Sequence, residues 1–167
     1  ANDVVFAFPA VLVAIMLAAA YGASTLTAMI AIGVANVPVF ARLTRGESLR
    51  VLSSEYVLAA RGAGRRRFGI FNRHVLPNIA PVLIVQATVL FALAILAEAA
   101  LSYLGLGTPP PTPSWGRMLH ESQTFFESRP TLALFPGLAI ALSVLGFNLL
   151  GDGLRDAIDP KLKVVRA

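Results

Sequence analysis

The stretch Glu55-Tyr-Val-Leu-Ala-Ala-Arg-Gly-Ala-Gly-Arg-Arg-Arg-Phe-Gly-Ile-Phe-Asn-Arg-His-Val-Leu-Pro-Asn78 divides the chain. It is basic and punctuated by glycine, and it lies between apolar runs long enough to cross a bilayer. Its first part reads as a short helix. Ser53 or Ser54 can cap the start, and Glu55 suits the positive end of the helix dipole. Leu52, Tyr56, Ala59, Ala60 and Ala63 follow helical spacing and share one face. The alanines on that face let another backbone approach closely. Gly62 and Gly64 then allow a turn, because glycine tolerates positive φ. Pro77 is expected to end the helix before it, and Asn78 to cap the next.

On either side the chain is apolar. Of 167 residues, 56% are hydrophobic and 14% charged, in alternating blocks, which excludes an ordinary soluble domain and predicts a polytopic helical membrane protein. Four spans are expected, at about 4–21, 25–41, 79–103 and 131–150. Pro9 and Pro38 fall inside the first two, where proline is tolerated if neighbours satisfy the freed carbonyl, and a kink is expected at Pro9. Gly22-Ala23-Ser24 reads as a tight turn, and Pro81 falls in the first turn of the third span. Residues 42–78 form a central loop and 104–130 a proline-rich one, with a short helix expected over Met118–Phe126 and Trp115 suited to the membrane interface. Gly151-Asp152-Gly153 is read as the end of the last span, followed by a basic tail.

Charge sets the orientation. Eight arginines lie between Arg42 and Arg73. One arginine at the bilayer centre costs about 3 kcal/mol on insertion scales, and eight would cost about 20 or more, so this segment lies outside the hydrocarbon. The tail adds Arg155, Lys161, Lys163 and Arg166, whereas the proline-rich loop holds only Arg117 and Arg129. By the positive-inside rule the central loop and C-terminus are cytoplasmic and the proline-rich loop is outside. The net charge of +5 is thus a product of topology, and nucleic acid is a poor explanation for it. There is no cysteine, hence no disulfide and no thiolate metal site. The chain begins at Ala1, almost directly with an apolar run, and is expected to be a piece of a longer protein.

The central stretch resembles the cytoplasmic signature (EAA) loop of ATP-binding-cassette importer permeases, most closely those of dipeptide, oligopeptide and nickel importers. Glu55, Ala59-Ala60-Arg61, Gly64 and Arg73-His74-Val75-Leu76-Pro77-Asn78 carry that resemblance. It continues in Leu96 to Gly107, in Pro113-Ser114-Trp115-Gly116, in Asn148 to Asp156 and in Asp159-Pro160. The Arg65-Arg66-Arg67 run departs from the pattern, which has a small or polar residue first. The resemblance implies a six-span permease of which four spans are present, the two N-terminal ones being absent. It implies a coupling helix that docks into a cleft on an ATPase, with Glu55, Tyr56, Ala59, Ala60, Arg61 and Gly64 as the coupling residues. It further implies two ATPase subunits, a second homologous permease and an extracytoplasmic substrate-binding protein, all at a bacterial or archaeal plasma (inner) membrane. ATP and Mg would sit on the ATPase, and this chain would not itself be an enzyme.

Other readings compete at particular residues. Glu98, within an apolar run, is either pathway lining or a structural partner of a neighbouring helix. Gln86 and Asn148 are candidate interhelical hydrogen-bond partners. Arg65-Arg66-Arg67 can touch the ATPase or attract anionic lipid, although a solvated, topology-setting role is favoured. An intramembrane aspartyl protease needs a second aspartate on a facing span to accompany Asp152, and no span supplies one. No phosphate-binding loop is present, and Gly62-Ala63-Gly64 follows no strand, so no cofactor site is expected. His74 and His120 fall on opposite sides of the membrane in this topology and cannot share a metal. An ATP-independent secondary transporter is the remaining alternative, with Pro9 and Pro38 as a weak hint of broken helices.

Overall fold

The structure, a computed structural model, describes residues 10–158. The first half of the expected 4–21 span, with Pro9, and the tail from Asp159 on lie outside the described residues. Among the described residues the chain is all helix and turn. The helices are α1 (Ala10–Tyr21), α2 (Thr25–Leu52), α3 (Glu55–Gly62), α4 (Arg67–Ile70), α5 (Leu76–Tyr103), α6 (Trp115–Ser122) and α7 (Thr131–Ile158). A π turn, Phe71–Val75, joins α4 to α5, and a 3₁₀ turn, Gln123–Phe125, follows α6. Among the described residues three helical stretches are long and apolar enough to cross a membrane: Thr25–Leu52, Arg67–Tyr103 and Thr131–Ile158. At most 22% of the apolar window of each is buried, so their hydrocarbon is left for lipid or further helices.

The chain clusters into two compact units. One comprises the residues up to Pro38 together with Val89–Leu149. In it, Ala28, Ala31 and Ile32 of α2 pack with Leu101 of α5, flanked by Val13 and Leu17 of α1 and by Ala94 and Ala97. Small side chains suit close helix contact. The other comprises Val39–Thr88 with the residues from Leu150 on. Its core is Val51, Val57, Ile70, Val75 and Ile79, with Leu52 and Leu83 against it.

Several expected boundaries move. Hydropathy marks where a span leaves the hydrocarbon, not where its helix ends, and α2 continues past Ala41 and Arg42 to Leu52. Pro77 does not end a helix. Its missing N–H and its ring disturb the bond to Arg73, four residues back, and the chain answers with the wider π turn before running on as α5. Asn78 caps nothing; its amide donates to the His74 carbonyl at 2.6 Å. Gly151-Asp152-Gly153 lies within α7, which runs to Ile158. Gly151 is buried there, and a Cβ on it would overlap the Thr88 hydroxyl, so this glycine serves close helix packing and not a turn. The short helix of the proline-rich loop is Trp115–Ser122, earlier than expected, because Ser114 caps it by accepting from the Arg117 N–H at 3.2 Å.

Candidate functional site

The geometry of α3 begins at the end of α2. Ser53 and Ser54, expected as caps for α3, turn backwards: Ser53 Oγ donates to the Arg50 carbonyl at 2.9 Å and Ser54 Oγ to the Val51 carbonyl at 2.6 Å. The last carbonyls of α2 lack partners within the helix, and these hydroxyls donate to two of them. The Ser54 backbone carbonyl instead accepts from the third and fourth amides of α3, those of Val57 and Leu58, at 3.1 Å.

One residue anchors this helix. Val57 is fully buried among Val51, Ile70, Val75 and Ile79. The opposite side, with Glu55, Tyr56, Leu58, Ala59, Gly62 and Ala63, is exposed, Ala60 is half-buried and Arg61 is exposed. Of the face read from helical spacing, Tyr56, Ala59 and Ala63 are exposed. Leu52 leaves it, being the last residue of α2 and packed against the core. Sequence reasoning missed Val57; its signal was a β-branched apolar residue opposite a run of alanines.

The helix closes on Gly64. Its φ is +79°, its N–H donates to the Arg61 carbonyl at 2.9 Å, and the Arg65 N–H reaches the Ala60 carbonyl at 3.1 Å. This is a Schellman ending, with glycine at the left-handed position. Gly62, expected to share the turn, remains helical. Beyond it, Arg65 Nη1 lies 3.1 Å from His74 Nε2, and the His74 ring sits 5.9 Å from that of Tyr56.

In the other unit, Glu98 is held by hydroxyls. Its Oε1 accepts from Ser102 Oγ at 2.6 Å and from Thr108 Oγ1 at 3.3 Å, and Thr25 Oγ1 donates to Thr108 Oγ1 at 3.1 Å. The Thr108 amide donates to Ser102 Oγ at 3.0 Å. A second Schellman ending at Gly105, φ +79°, folds the loop back over α5 to make these contacts. Gly107 and Gly116 permit the close return, since a Cβ would overlap Ser102 at the first and the Ala99 carbonyl at the second. Gln86 lines a cavity of about 570 Å³ with Arg50, Asn78 and Arg155, and Asn148 is exposed on α7.

Described residues that are all helix and turn, with three membrane-length helices among them, are consistent with a helical membrane permease. Residues 1–164 match the family described as binding-protein-dependent transport system inner membrane component. The dipeptide transport system permease protein DppC of Alkalihalophilus pseudofirmus is 48% identical over 161 residues, covering 96% of this chain and 53% of that protein. The glutathione transport system permease protein GsiD of Escherichia coli O1:K1 and that of Shigella flexneri are each 45% identical over 161 residues, with the same coverage. The chain belongs to this family of inner-membrane transport components, the permeases of ATP-binding-cassette importers. It spans about half the length of the curated relatives it matches.

Proposed function

We propose that the chain forms part of the permease of an ATP-driven importer of short peptides or similar small solutes, and that α3 receives the movement of a separate ATPase. One observation carries the reading: Val57 fixes α3 to the end of α2 and to the seam Ile70, Val75, Ile79, while its alanine-rich side stays open. A close-packed core transmits displacement instead of absorbing it. A push on α3 therefore moves the feet of α2 and α5 together, which is what rigid-body alternation between inward- and outward-open states requires.

In this reading α3 faces the cytoplasm and two ATPase subunits, which hold ATP and Mg. A second permease completes the pathway, and a binding protein delivers substrate from outside. The relatives named for dipeptide and for glutathione differ little in identity, 48% against 45%, so the substrate class proposed is the short peptide they share.

The test places a cysteine at the exposed Ala59 of the full-length protein in native membranes and treats it with a thiol-reactive cross-linker. Capture of an ATPase subunit, with a yield that changes on adding ATP, is the expected result. A cysteine that is accessible yet captures no ATPase overturns the coupling reading.

A further inference from the structure

Helices α2, α5 and α7 each run through both compact units without a break. The division cuts α2 between Pro38 and Val39, α5 between Thr88 and Val89, and α7 between Leu149 and Leu150. Each helix carries a weak point of its winding within two residues of that cut. In α2 it is Pro38 itself. Proline has no N–H, so the Val34 carbonyl loses its helical partner, and the ring crowds the same turn. The Asn36 amide turns back on the helix there, donating to the Ile32 carbonyl at 2.8 Å. The other prolines of the long helices, Pro77, Pro81 and Pro136, stand in the first two turns, whereas Pro38 stands at mid-helix.

In α5 the weak point is Thr88, whose Oγ1 donates to the Val85 carbonyl at 2.8 Å. A hydroxyl bonded back to its own helix competes with the backbone ladder and bends the helix. In α7 it is Gly151, the residue type least suited to a helix interior after proline, buried against the Thr88 hydroxyl. No side chain of Gly151 interlocks with α5, and across such a contact packed helices can slide. Charge sets the depth of these points. Pro38 stands about 6 Å before Arg42 along α2, and Gly151 directly precedes Asp152. They fall where the apolar spans give way to charged sequence, between the membrane portion and the core that Val57 anchors.

We propose that Pro38, Thr88 and Gly151 form one hinge, about which the unit holding α3 tilts relative to the other unit during the transport cycle. The proposal rests on the coupling reading above and adds where the movement is taken up: the long helices bend, and the chain does not turn as a single body. A bend of about 10° at Pro38, half of a sharp kink, swings Leu52, about 21 Å further along α2, through about 4 Å.

The experiment uses the full-length transporter in nanodiscs, with one labelled chain in each complex and spin labels on cysteine pairs at exposed positions. Ala59→Cys with Leu142→Cys spans the division. Ala59→Cys with Asp156→Cys lies within the unit of α3, and Ala23→Cys with Leu142→Cys within the other. Distances are read by electron double resonance with and without ATP, beside the Ala59→Cys capture of the ATPase. ATP is expected to shift the spanning pair by about 4 Å and both internal pairs by less than about 1 Å. Pro38→Ala with Thr88→Val restores the lost bond and removes the back-bond, so it should at least halve that shift and lower uptake per ATP hydrolysed, with capture of the ATPase unchanged. If the ATPase is captured and substrate is transported while all three distances stay fixed, the permease turns as one body; the hinge is overturned and the coupling reading stands. An internal pair that moves as far as the spanning pair, or a full shift in the Pro38→Ala, Thr88→Val variant, also overturns it. If Ala59→Cys captures nothing, both readings fall.

Discussion

Gly64 has φ +79° and nothing within 4 Å of where a Cβ would stand, so backbone strain and not crowding decides what can replace it. A left-handed residue with a Cβ costs about 1–2 kcal/mol, most for β-branched side chains and least for asparagine. Gly64→Val is expected to leave the protein in the membrane yet separate ATP hydrolysis from transport, and Gly64→Asn to retain most coupling; the ratio of hydrolysis to uptake in proteoliposomes measures it. Normal transport by Gly64→Val would show that the turn is dispensable. Glu98 invites a different comparison. Glu98→Gln keeps an oxygen for Ser102 and Thr108, whereas Glu98→Leu strands both hydroxyls, at about 1–3 kcal/mol. As a structural partner, Glu98 should tolerate glutamine with unchanged uptake and lose thermal stability with leucine. Uptake abolished by glutamine at unchanged stability would place the carboxylate in the pathway. The acid in an apolar run was legible in the sequence. Its partner Thr108 was not, because ten residues and a folded-back loop separate them.

Elements were harder to delimit than to find. The apolar runs of α2, α5 and α7 were plain, but α2 and α7 run on into charged sequence, where hydropathy carries no signal and helix propensity does not stop. Glycine misled at Gly62, which stays helical, and at Gly151, since the same letter serves a left-handed turn at Gly64 and close packing at Gly151. That difference can be measured. Gly151→Ala should lower stability by about 1–3 kcal/mol, and combining it with Thr88→Ala should recover part of the loss, because the overlap is with the threonine hydroxyl. Gly116→Ala has no such remedy. Its obstacle is the Ala99 backbone carbonyl, so α6 should leave α5. Thermal unfolding of the purified full-length protein, read beside protease sensitivity near Trp115, distinguishes the two cases.

At the scale of the whole molecule, two sequence readings rest on independent physics. Membrane-length helices follow from apolar length, and orientation follows from where Arg and Lys fall. The second yields a direct expectation. A membrane-impermeant thiol reagent added to intact cells should label Phe126→Cys and spare Ala59→Cys, and inverted vesicles should reverse the pattern. Both positions are exposed, so access does not confuse the result. Labelling of both from one side would remove the topology on which α3 faces an ATPase. That Val57 faces inward was signalled by a β-branched residue opposite alanines, but its neighbours were not legible, because a single valine has no period to betray what encloses it.

The π turn sets the phase of this assembly. The buried Ile70, Val75 and Ile79 and the half-buried Leu83 are spaced by five, then four, then four, and only a turn with one extra residue keeps the first in line with the rest. The chain between α3 and the membrane therefore works as a gear with a fixed tooth count. Removing one residue, for instance the exposed Asn72, would restore regular winding and rotate everything upstream by about 100° against α5. Ile70 would lose its seat, and α3 would point its alanines elsewhere. Relatives that share the residue types of this loop but differ by one in its length should accordingly present α3 along a different azimuth.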